Sequence, residues 1–113
     1  MTNYKDPAIF SDHERAQEAH LGRAEEMDFR IHARRNRLLG GWAATRMGLS
    51  AVEADGYSKS VVQADFEESG DEDVIRKVLG DMIAAGVEAD ESEVREALRA
   101  KEAEARRALI GEV

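Results

Sequence analysis

Residues 71–86, DEDVIRKVLGDMIAAG, carry the clearest pattern in the chain and settle its class. Val74, Ile75, Val78, Leu79, Met82 and Ile83 recur at the three-and-four spacing of one helical face. Asp71, Glu72 and Asp73 put negative charge at the positive end of the helix dipole, and Gly86 supplies the stop. On the N-terminal side, Ser50 with Glu53 forms a capping box, because the hydroxyl accepts from an orphan amide while the carboxylate reaches back. That box opens a helix running to Ser69 and Gly70, with Tyr57, Val61, Val62 and Phe66 on one stripe. On the C-terminal side, Asp90 with Glu93 opens a last helix that turns Val94, Ala97, Leu98, Ala105, Ala108 and Leu109 inward. A further box, Ser11 with Glu14, starts a helix that meets no stop before Gly48.

The only proline is Pro7, and β-branched and aromatic residues are too scattered for strands. The expected class is therefore all-α, a four-helix bundle with an N-terminal helical or disordered arm. Its first helix is the odd one. From Ser11 to Met47 it would span roughly 55 Å at ~1.5 Å per residue, against roughly 30 Å for each of the others. Met27, Ile31, Leu38 and Trp42 have core spacing, whereas residues 11–26 offer only Ala16, Ala19, Leu21 and Ala24 and contain Gly22. Residues 1–23 are read as the arm and 24–113 as the bundle. So little apolar surface cannot offset the arm's ordering entropy, yet the arm could fold as a helix in a partner's groove.

At 113 residues the chain holds one modest core and no second module. It has no cysteine, which removes disulfides, thiolate metal sites and cysteine nucleophiles together and fits a reducing compartment. The longest near-apolar run, Leu38 to Ala44, is too short to cross a bilayer, and Met1 to Asp6 has no apolar stretch like that of a signal peptide. A cytoplasmic location is expected. The net charge of −8 is uneven: residues 1–49 carry +1 and residues 50–113 carry −9. An acidic body argues against nucleic acid or anionic lipid as a partner and favours another protein.

Four features invite a chemical interpretation. The acidic run Asp65, Glu67, Ser69, Gly70, Asp71, Asp73 imitates a calcium loop, but Arg76 stands at the twelfth position, where a bidentate Glu is needed. A helix-capping loop is the simpler account. His13, His20 and His32 fall at intervals of seven and twelve, which fixes no shared metal geometry. The basic cluster in RIHARRNR is most simply a solvated helix face whose arginines pair with acids on helices two and three. Trp42 follows Leu38 at helical spacing and reads as core. No nucleophile-and-base set lies in an apolar context, so an enzyme is not expected.

Two blocks carry a family resemblance. The first runs from Glu25-Glu26-Met27-Asp28-Phe29-Arg30 through Ala33-Arg34-Arg35-Asn36-Arg37-Leu38-Leu39-Gly40 to Trp42-Ala43-Ala44. The second is Ala64-Asp65-Phe66-Glu67-Glu68, Gly70, Glu72-Asp73-Val74 and Arg76-Lys77-Val78. Together they resemble the zeta subunit of alphaproteobacterial F-type ATPases. Members of that family are four-helix bundles, and some inhibit ATP hydrolysis by the catalytic head through an N-terminal segment. Here Phe10-Ser11-Asp12-His13-Glu14-Arg15-Ala16-Gln17-Glu18 aligns without a gap to a family start of the type Phe-Asp-Asp-Arg-Glu-Arg-Ala-Phe-Glu, which leaves Met1 to Ile9 as an extension. His13 replaces an arginine and Gln17 an aromatic, and Gly41 replaces a bulkier apolar residue.

What the resemblance implies is a regulatory subunit that docks on the α, β and γ subunits of the ATPase head. Its inhibitory arm would bear Phe10, Asp12, His13, Glu14, Arg15, Gln17, Glu18 and Leu21 on the partner. The protein would be peripheral at the inner membrane through the ATP synthase, without inserting in it. The resemblance also implies ADP or ATP as a ligand on the bundle. No cofactor is required, and no GxxxxGK[ST] phosphate loop is present, so a nucleotide would be bound and not hydrolysed. Arg34, Arg35 and Arg37 could offer guanidinium forks to phosphate and Trp42 a stacking face. The alternative function is an ADP/ATP-responsive bundle that associates with the ATPase without inhibiting it.

Overall fold

The computed structural model describes residues 12–68 and 70–111, with side chains from Ala24 onward. Four α-helices follow one another: α1 (Asp12–Met47), α2 (Ala51–Glu67), α3 (Asp71–Ala84) and α4 (Glu91–Gly111), with no strand among the described residues. The chain falls into two compact units, Met1–Arg30 and Ile31–Val113. The second unit contains the bundle, in which α2 packs on α3 and α3 on α4.

The helix ends follow the capping chemistry expected from the sequence. Ser50 Oγ accepts from the Glu53 amide at 3.2 Å while Glu53 Oε1 accepts from the Ser50 amide at 2.8 Å, closing the box that starts α2. Asp90 and Glu93 do the same for α4, at 2.9 and 3.3 Å. Gly48 and Gly86 stop α1 and α3 in the left-handed region, with φ of 73° and 83°. In both cases the next residue's amide reaches back to a helix carbonyl: Leu49 to Ala44 at 3.0 Å and Val87 to Met82 at 3.0 Å. A residue with a Cβ is strained there, so glycine lets the chain reverse direction at little cost. The Ser11–Glu14 box falls outside the described residues.

Leu39, Ala43, Val61, Val74, Val78, Met82 and Val94 are fully excluded from solvent, with Ile75 and Leu98 nearly so. Fully burying a side chain of this size stabilises by about 1.5–3 kcal/mol relative to leaving it exposed. Helix α1 buries Ile31 as expected but continues inward along a different row. Ile31, Arg35, Leu39 and Ala43 turn inward, while Leu38 and Trp42 lie on the flank, half-buried. The cause is Gly40, where α1 meets α2 backbone against backbone. A Cβ on Gly40 would stand 2.6 Å from Ser58 Cα. That close approach makes the Leu39–Gly40 side of α1 the inner one.

Two further expectations are corrected. Phe66, in the last turn of α2, is 70% exposed, and Ile83 is 56% exposed. At ~100° per residue, Val74, Val78, Met82 and Ile75 occupy an arc of about 100° on α3, and Leu79 and Ile83 extend it to about 180°. The bundle covers only the first part of that arc.

Tyr57 on α2 donates to Asp81 Oδ2 on α3 at 2.9 Å, and Lys77 Nζ reaches the same oxygen at 3.0 Å while lying 5.4 Å from the tyrosine ring centroid. Burial, and then the Asp81 carboxylate, push the phenol pKa well above its ordinary value. A folded-state pKa raised in this way means that the unfolded chain releases the phenol proton first as pH rises. The stabilisation is present below about pH 10 and lost above it. Thermal melts between pH 8 and 11 should show a falling Tm above pH 10, with a shallower fall in Tyr57→Phe. Gly40→Ala should cost about 1–3 kcal/mol through the clash with Ser58, a drop of roughly 5–20 °C in Tm by circular dichroism.

Candidate functional site: a buried arginine hub and the helix that carries it

Arg35 leaves α1 at a position that the i, i+4 row Ile31, Arg35, Leu39 points into the bundle, and it is fully buried. Its guanidinium meets carboxylates from all three other helices. Nη1 donates to Asp71 Oδ1 at 2.9 Å, in the first turn of α3, and to Glu102 Oε1 at 3.0 Å on α4. Nη2 lies 3.6 Å from Asp65 Oδ2 on α2, an ionic contact beyond hydrogen-bond length. Nε donates to the buried Asn36 Oδ1 at 3.0 Å, and Asn36 Nδ2 in turn donates to Asp65 at 2.7 Å. Around Glu102 stand His32 Nε2 at 3.9 Å and Arg106 at 3.7 Å.

One buried cation surrounded by three partly exposed anions settles what this cluster does. A buried charge is tolerated only when it is paired and hydrogen-bonded, and here Nη1 and Nε donate to protein oxygens while Nη2 has only the ionic contact with Asp65. Asp65 and Asp71, two members of the acidic run that imitates a calcium loop, are therefore ligands of an arginine. The expectation of a solvated basic face is half right: the pairing with α2 and α3 is there, but Arg35 is interior. The signal for this lay in the sequence, since Arg35 occupies the same i+4 row as Ile31 and Leu39.

The four residues suggested for phosphate and base contact are not brought onto one face. Arg34 and Arg37 are exposed on the outer side of α1, Arg35 is interior, and Trp42 packs against the edge of the core. One face of the Trp42 ring is covered by Arg46, whose Cζ lies 5.4 Å from the centroid. Arg46 also pairs with Glu93 at 3.2 Å and donates to the Glu88 carbonyl at 3.1 Å, tying the end of α1 to the segment that opens α4. Of the arm residues, Phe10 lies outside the described residues. So do the side chains of Asp12, His13, Glu14, Arg15, Gln17, Glu18 and Leu21, whose backbone is helical in α1.

The described residues hold no group of three or more His, Cys, Asp or Glu arranged to bind a metal, and none of their helices is long and apolar enough to cross a membrane. The described residues thus define a small all-helical bundle locked by a charged interior hub. More particularly, the family model of ATPase inhibitor subunit zeta matches residues 7–108, and this chain belongs to that family. Three chains among solved structures also match. One is a solution NMR structure 46% identical to this chain, covering 77% of it and 99% of its own length at a TM-score of 0.67. Among curated proteins no relative matches. The family role is regulatory and not catalytic, and it implies association with an ATPase.

Removing the hub's cation leaves three carboxylates around an interior space. Arg35→Leu should therefore lower stability in urea unfolding, by less than the ~3–5 kcal/mol of a fully buried pair because the carboxylates left behind are partly exposed. Arg35→Lys should recover only part of this, because an ammonium lacks the planar fork that serves several acceptors at once. Glu102→Gln should be milder than either.

Proposed function

We propose that this chain binds the catalytic head of an F-type ATPase and inhibits ATP hydrolysis through its N-terminal arm, residues 1–23, while the bundle from residue 24 onward acts as the body that stops it threading through. The observation that carries this is the family match, which begins at residue 7 and so takes in the arm as well as the bundle. Physically, an arm poor in apolar surface would order as a helix in a crevice between the α, β and γ subunits, its folding cost met by the contacts of the complex. A crevice that must open in every catalytic cycle is stalled when it is filled. Asp12, His13, Glu14, Arg15 and Glu18 would supply polar contacts, and Phe10 and Leu21 apolar ones.

The test is ATP hydrolysis by the purified cognate head, titrated with the full chain and with a version starting at Arg23 whose helicity is checked by circular dichroism. Inhibition by the full chain alone is the expected result. Binding of both without inhibition would reject the arm mechanism and leave a bundle that responds to ADP or ATP; its phosphate contacts would then fall to Arg34 and Arg37, since Arg35 already meets three carboxylates. Gln17→Phe should lower the half-inhibitory concentration tenfold or more, because a buried aromatic anchor is commonly worth ~2 kcal/mol.

A further inference from the structure

We draw no further inference here: the strongest candidate, the apolar groove along the outer arc of α3 formed by Ile75, Leu79 and Ile83, is also lined by Glu72, Arg76 and Glu91, charges of both signs, and nothing in the structure shows what covers it.

Discussion

A single guanidinium holds the bundle in register. Asp65, Asp71 and Glu102 come from three helices, yet all reach Arg35, which is closed off from solvent at the centre. Turning α1 by one residue, about 100°, would carry the side chain away from all of them, so the hub selects one rotation of α1 among those that a small apolar core would tolerate. A core of four valines, two leucines and one each of alanine, isoleucine and methionine offers few shape constraints of its own. Polar convergence supplies the specificity that such a core lacks.

The hub and the glycine contact work on adjacent turns of the same helix. Gly40 brings α1 against Ser58, and Asn36 links Arg35 to Asp65 one turn earlier on the α2 side. The two sequence blocks that carry the family resemblance meet at this point, one contributing Arg35, Asn36 and Gly40 and the other Asp65. A fold signature is expected to concentrate where a buried charge and a backbone contact leave few substitutions open.

Much of the architecture was legible in the sequence because it depends on short-range chemistry. The Ser50–Glu53 and Asp90–Glu93 caps involve residues three apart, and the stops at Gly48 and Gly86 depend on one backbone angle each. What was hidden depends on distant partners. The row that Arg35 shares with Ile31 and Leu39 marks its inward position, but its partners are not marked, because its acids stand on other helices, as far as 67 residues downstream. The inward row of α1 was displaced because nothing near Gly40 in the sequence announces Ser58. Ile83 reads as core in the sequence because periodicity gives the width of an apolar stripe, not how much of it neighbours cover. For the candidate arm, only the resemblance points to particular residues, and its side chains lie outside the described residues.

Trp42 gives the bundle an internal gauge. It is the chain's sole tryptophan, and the cation over its ring is anchored at its other end to Glu88 and Glu93, on the approach to α4. Indole emission responds to the charge and hydration of its immediate surroundings. Any event that loosens the start of α4 from the end of α1 must withdraw Arg46 and admit water to that face. The fluorescence of the unlabelled protein therefore reports on the seating of its last helix, separately from backbone helicity.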